Sequence, residues 1–169
     1  IYFWVDSMDR GLNWARAMAE RPGRSIQTPD VIAALIYPGL CLNLTDFGVV
    51  TELRAAYQAL EQLCRRNGLP LPRNTLLRNG IVLRRNLDCA VINMMHHARE
   101  EAGFPPYDSV YGVFEEGGEM YPGSGFRQKT HVQIAVRNLD CIIGYFRVRD
   151  PAILTESDER RLSAIDEKK

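Results

Sequence analysis

The chain opens on an apolar run, Ile1 to Val5, followed at once by the polar residues Asp6 and Ser7. Such a run bounded by turn formers predicts a strand, and Asp6 or Ser7 is placed to cap a helix with Asp9 near its start. Met8, Leu12, Ala15 and Ala19 then recur on one helical face, up to the break at Arg21-Pro22-Gly23. After a polar loop over residues 24–30, Asp30 to Tyr37 is mostly apolar and is halted by Pro38-Gly39. This predicts a strand buried on both faces, with Leu40 to Leu44 continuing it after the turn.

The period changes at Thr45-Asp46, a cap signal. Val49, Val50, Leu53, Ala56, Tyr57, Leu60, Leu63 and Cys64 follow at helical spacing and stop at Asn67-Gly68. Leu69 to Gly80, with two prolines and two asparagines, reads as a loop. A second long helix is predicted from Arg84 to Ala102, carrying Leu87, Ala90, Val91, Met94, Met95 and Ala98 inward and ending at Gly103. The second half alternates instead. Tyr107 to Phe114 predicts a strand that turns at residues 115–118, and EMYPGSGFRQK (119–129) reads as a surface loop. Thr130 to Arg137 places Val132, Ile134 and Val136 on one side and His131, Gln133, Ala135 and Arg137 on the other, and Cys141 to Phe146 forms a further short strand. Two long helices between early and late strands predict an α+β fold in one domain over residues 1–150, followed by a charged tail over 151–169.

Composition narrows the function. The 169 residues carry no formal net charge, so the even basic stripe of a duplex-wrapping protein is absent from the sequence. No stretch approaches the roughly 18 consecutive apolar residues of a membrane span, and the expectation is a cytoplasmic protein without a membrane partner. Cys41, Cys64, Cys89 and Cys141 lie tens of residues apart and read as free thiols, without the spacing of a zinc site. His96 and His97 are adjacent in a helical pattern and so diverge by about 100°, which argues against shared metal ligation. No metal site is predicted.

The opening block, with Tyr2 on a strand, Asp6-Ser7 at a polar turn and Trp14 on the following helix, resembles a signature of the ADP-ribosyltransferases, including the poly(ADP-ribose) polymerase branch. More narrowly, IYFWVDSMDRGLNWA, VIAALIYPGLCLNLTD, LDCAVIN, YDSVYGVFEEGGEMYPGSGFR and THVQIAVRN are similar to blocks of bacterial ADP-ribosyltransferase-like proteins of toxin or phage-defence type. The resemblance implies a split β-sheet core with flanking helices and NAD as substrate. Its acceptor would be a macromolecule, protein or nucleic acid, and an antitoxin or immunity protein would be a further partner. It implies catalytic roles for Tyr2 and Gln133, with Gln128 the rival to Gln133, and nicotinamide or ribose contacts from Tyr2, Phe3, Trp14 and His131. Arg127, Gln128 and Lys129 would meet substrate. The family places a His on a strand ahead of the Tyr2 strand, so the expectation is a native chain that continues upstream of Ile1.

The residue types suit that chemistry. Oxidised nicotinamide is a flat cation that an aromatic face attracts, which makes Tyr2 and Trp14 the candidates for a sandwich. Glycosidic cleavage develops positive charge on the ribose, and the Gln133 amide can orient the ribose hydroxyls without supplying negative charge. Two other functions stay open, the second of them favoured by that difference from a carboxylate. One is an NAD glycohydrolase, and the other is a non-catalytic module that binds NAD, ADP-ribose or a protein. Tyr2, Phe3 and Trp4 also suit the core of a central strand.

Overall fold

The computed structural model describes residues 1–23, 26–76 and 82–148. In chain order the elements are β1 (Tyr2–Trp4), α1 (Met8–Ala19), β2 (Ile32–Ile36), β3 (Cys41–Asn43), α2 (Val49–Arg66) and β4 (Thr75–Leu76). They continue with β5 (Val82–Arg84), α3 (Asn86–Glu101), β6 (Ser109–Phe114), β7 (His131–Val136) and β8 (Ile142–Arg147). The fold is α+β. The charged tail over 151–169 lies outside the described residues.

The alternating β7 sequence becomes an inner strand of a four-stranded sheet of order β1-β7-β6-β3. β1 and β6 both run antiparallel to β7, and β3 runs parallel to β6. Paired residues share a face, so Tyr2, Ala135, Val110 and Leu42 form one row across the whole sheet. Trp4, Gln133 and Gly112 form the next row on the same face. Phe3, Ile134, Tyr111 and Asn43 form a row on the opposite face.

Helices α2 and α3 cover the first face at its β3 end, where Leu42 packs with Ala56, Leu60, Val91 and Met95. Leu42 has no exposed surface, whereas Tyr2 at the other end of its row is 54% exposed. The helices therefore seal one end of this face and leave the β1 end open. Helix α1 lies at that open end with Ala15 and Met18 buried, and Gly11 lets the helix approach the Trp4 ring and Val31.

β2 corrects the sequence reading. It pairs with β8 in a separate two-stranded ribbon, and Ile32 and Leu35 are 68% and 58% exposed rather than buried. An apolar run encodes a strand without saying what covers it. Residues 40–44 do not continue that strand either, because β3 belongs to the larger sheet. The chain changes sheets at Pro38-Gly39, where Ser109 Oγ donates to the Pro38 carbonyl at 2.7 Å and the Leu40 amide donates to the Asp108 carboxylate at 2.8 Å. Gly39 has φ of 61°, and an added Cβ would lie 2.5 Å from Asp108 Oδ2, so glycine is required on both grounds.

The start of α3 is also displaced from the expectation, at Asn86 rather than Arg84, because Val82–Arg84 pairs with β4 inside what reads as a loop. Arg85 precedes the helix without a side-chain cap bond. The cap comes from a distance instead, since Asn74 Oδ1 accepts the Leu87 and Asp88 amides at 2.9 and 3.3 Å. Local sequence cannot announce a cap supplied from another segment. The inward residues differ as well: Val91, Met95 and His96 are buried, and Ala98 is exposed.

Asp108 ties three connections together. Its carboxylate also accepts Asn138 Nδ2 at 3.0 Å, and its carbonyl accepts the Arg137 and Asn138 amides at 2.8 and 3.0 Å. The Leu40 amide, then Asn138, hold this carboxyl below its ordinary value. The unfolded chain therefore takes up this proton first on acidification, so the contribution is present above the ordinary carboxylate range and is lost as pH falls through the lowered folded value. Urea unfolding as a function of pH should show part of the acid-side slope vanish in Asp108→Asn. In the same assay at neutral pH, Asn74→Ala should cost about 0.5–2 kcal/mol as a lost helix cap.

Candidate functional site

The open end of the first sheet face gathers several of the predicted residues. Tyr2 and Gln133 are diagonal neighbours on adjacent hydrogen-bonded strands, because Tyr2 pairs with Ala135 and Gln133 pairs with Trp4. Diagonal neighbours lie about 7–8 Å apart, within the span of one small ring plus a ribose. The Tyr2 ring stands edge-on to Trp4 with centroids 6.1 Å apart, and Trp14 of α1 lies 5.6 Å beyond on Trp4. Trp4 thus intervenes between Tyr2 and Trp14, and the expected Tyr2–Trp14 sandwich is replaced by a file of three aromatic rings. Trp14 remains 38% exposed, so it belongs to the surface of this file and not to the core.

Gln133 is half-buried and lines a cavity of about 570 Å3 that runs under α3, between the sheet face and α2. Gly112 and Ala135 lie on the sheet floor of this cavity, and the Leu44 side chain packs over Gly112, where an added Cβ would lie 3.1 Å from it. Tyr2 borders Ala135 at the edge of that floor. Arg85 and Asp88 form an ion pair in its wall at 3.1 Å, and the Arg85 guanidinium lies 4.8 Å from the Phe114 ring centroid. Arg137 also lines the cavity, its guanidinium donating to the Tyr107 carbonyl at 3.0 Å.

The other predicted residues are placed elsewhere. Phe3 faces the opposite side of the sheet, where it lines a second cavity of about 720 Å3 with Ile134, Tyr111 and residues of β2. His131 shares the face of Gln133 but is buried between aromatic neighbours, stacked on Phe114 at 5.9 Å and 6.3 Å from Trp4. Its Nδ1 lies 2.7 Å from the Lys129 carbonyl, which can only accept, so Nδ1 carries the proton there. Arg127 forms an isolated bridge with Glu119, and Lys129 donates its amide to the Glu116 carbonyl. Gln128 donates its side-chain amide to the Glu119 carbonyl at 2.8 Å, so this rival of Gln133 is engaged within its own loop. An ion pair of Arg10 with Glu116 fastens the loop to α1.

Comparison with known protein families, curated proteins and solved structures finds no match. The reading of this face therefore rests on the residues themselves.

His96 is the lining residue that sequence reasoning missed. The pair His96-His97 splits as helical geometry requires: His97 points outward toward Glu101, and His96 is only 2% exposed. Its Nδ1 accepts the Tyr107 amide at 3.3 Å, which fixes the neutral tautomer with the proton on Nε2. Burial, followed by Arg137 and then Arg99, lowers its pKa from 6.5 to about 4. Because the unfolded chain binds this proton more readily, the contribution to stability is complete above about pH 6.5 and declines as pH falls toward 4. Among the described residues the ring environment also includes the Tyr107 hydroxyl, which donates to Glu52 of α2 at 3.2 Å. A pH titration followed by NMR of the ring protons should show His96 still neutral at pH 5.5. A His96 midpoint at the ordinary value of 6.5 would contradict the assigned environment.

Proposed function

We propose that the chain transfers ADP-ribose from NAD to a macromolecular acceptor, protein or nucleic acid, on an ADP-ribosyltransferase-like core, as an effector of toxin or phage-defence type. The observation that carries this reading is the placement of Tyr2 and Gln133 as diagonal neighbours at the uncovered end of one sheet face. The two residue types required by the chemistry come from distant parts of the chain, and the β1–β7 pairing brings them within reach of one substrate.

In this reading the nicotinamide cation sits against the Tyr2 ring and the exposed side of the Trp4–Trp14 file, held by the ring quadrupole and by stacking. The Gln133 amide hydrogen-bonds the ribose hydroxyls and fixes the sugar as its anomeric carbon gains positive charge. The bond to nicotinamide breaks, nicotinamide leaves as a neutral base with the bonding pair, and an acceptor oxygen or nitrogen forms the new bond to the same carbon. The acceptor's proton passes to solvent. Gln133 supplies orientation and no negative charge, so the step relies on pre-positioned dipoles. The loop over 115–129, fastened to α1 by Arg10 and Glu116, leads directly into β7 and presents Met120, Tyr121 and Phe126 exposed. It is the natural contact for a macromolecular acceptor.

The amide at Gln133 favours one second reading, a module that binds NAD or ADP-ribose without turning it over. Radiolabelled NAD distinguishes them by label on protein or nucleic acid, label released as free ADP-ribose, or neither. Gln133→Ala should leave the fold intact and lower transfer by about 10²-fold, as for loss of an oriented transition-state hydrogen bond. Gln133→Glu should retain activity or shift it toward hydrolysis, and Gln128→Ala should lower transfer less. Transfer by Gln133→Ala equal to that of the unsubstituted chain would contradict the assignment, and a larger loss at Gln128 would move the site to the loop. Replacing Tyr2 by Ala should weaken NAD binding by about 0.5–2 kcal/mol if stacking is the main interaction lost.

A further inference from the structure

The cavity beneath α3 is larger than the reading above requires, and its charge is unbalanced. Its volume of about 570 Å3 lies within the range of small-molecule pockets. Leu53 of α2, Leu87 and Ile92 of α3 and Val110 of β6 supply apolar walls over a floor that includes Gly112 and Ala135. Arg85 is neutralised by Asp88. Among the described residues no carboxylate lies within ion-pair distance of Arg137. The Tyr107 carbonyl holds the Arg137 guanidinium in place without neutralising it. His96 in the same wall adds no charge, because its Nδ1 is engaged as an acceptor by the Tyr107 amide.

We propose that this cavity binds an amphipathic monocarboxylate, with its apolar body between α3 and the Gly112–Ala135 floor and its carboxylate on Arg137. Arg137 is itself exposed, so its guanidinium stands at the solvent side of the apolar space. A mostly apolar cavity with one guanidinium at its exposed side that no carboxylate pairs is matched by a single negative charge at one end of a hydrocarbon body. A dianionic phosphate would bring a second charge that no free cation in the wall offsets. A neutral hydrocarbon would gain nothing from the guanidinium, which stays hydrated at the exposed side. Asn93, Gln133 and Tyr57 also line the cavity, with Gln133 about 13 Å along β7 from Arg137 and so away from the carboxylate end. The proposal shares Gln133 with the NAD reading but does not depend on it, since the ligand lies under the helix and needs no nicotinamide.

The test uses octanoate, with octanol as its neutral counterpart, titrated into the whole chain by calorimetry in the absence of NAD. Octanoate should bind saturably, and octanol should bind about tenfold more weakly, as expected for loss of one charge-assisted hydrogen-bonded pair. Arg137→Gln should remove that preference. Ala135→Leu, which fills the floor, should abolish octanoate binding, and Ile92→Trp gives a second way to fill the same space from the helix side should Ala135→Leu fail to fold. A separate readout is the titration of His96 by NMR. A bound carboxylate beside Arg137 offsets the cation that helps depress this ring, so octanoate should raise the His96 midpoint from its value of about 4. Equal affinity for octanoate and octanol would overturn the anion assignment. Unchanged octanoate binding in a folded filling variant, or no saturable binding to the unsubstituted chain, would overturn the cavity assignment. None of these results bears on transfer from NAD, whose failure is read separately in the labelled-NAD assay.

Discussion

The register of β1 on β7 is the constraint on which the rest of this structure depends. Pairing Tyr2 with Ala135 and Trp4 with Gln133 sets which side chains share a face. A slip of one residue would exchange that face for the other, sending Tyr2 and Trp4 to the β2 side and Phe3 to the α1 side. Packing at both ends opposes the slip. Trp4 is held by Trp14, by the edge of Tyr2 and by the Arg10 guanidinium 5.8 Å from its ring centroid, while Phe3 lies over the apolar space it shares with Ile134 and Tyr111. The candidate site is thus a consequence of register. It inherits whatever precision the aromatic packing gives to a three-residue strand.

The same face shows how stability and accessibility are separated along one row of residues. At the β3 end, Leu42 is enclosed by α2 and α3, and burial of a leucine side chain contributes about 1.5–3 kcal/mol. Toward β1 the helices give way to a cavity, and then to the exposed Tyr2 ring. Asp108, at the far end of β6, stabilises the connections that the sealed end requires. The part of the sheet proposed to bind NAD is therefore not the part that holds the domain together, and substitutions at Tyr2 or Gln133 are expected to affect folding little.

The sequence carried the type of most elements because their periods are local properties. The alternation in residues 131–136 and the helical repeat from Val49 to Cys64 each needed only their own residues to be read. What escaped reading depended on partners distant in the chain. The exposure of Ile32 and Leu35 follows from β2 pairing with β8 instead of entering the larger sheet, and the start of α3 follows from a cap supplied by Asn74. The resemblance groups Phe3 with Tyr2, although adjacent strand positions point to opposite faces. His96 was read only against metal binding, and its buried contact with the Tyr107 amide has no signature in the surrounding residues. Gly112 and Ala135 come to share one cavity floor only once β6 and β7 are paired.

The central claim is that Tyr2 and Gln133 contact one bound NAD. A double-mutant cycle on NAD affinity with Tyr2→Ala, Gln133→Ala and the double variant tests it most directly. If both side chains hold the same molecule, their effects should be coupled by about 0.5–3 kcal/mol. Additivity within about 0.3–0.5 kcal/mol, or affinity unaffected by either substitution, would contradict a shared site.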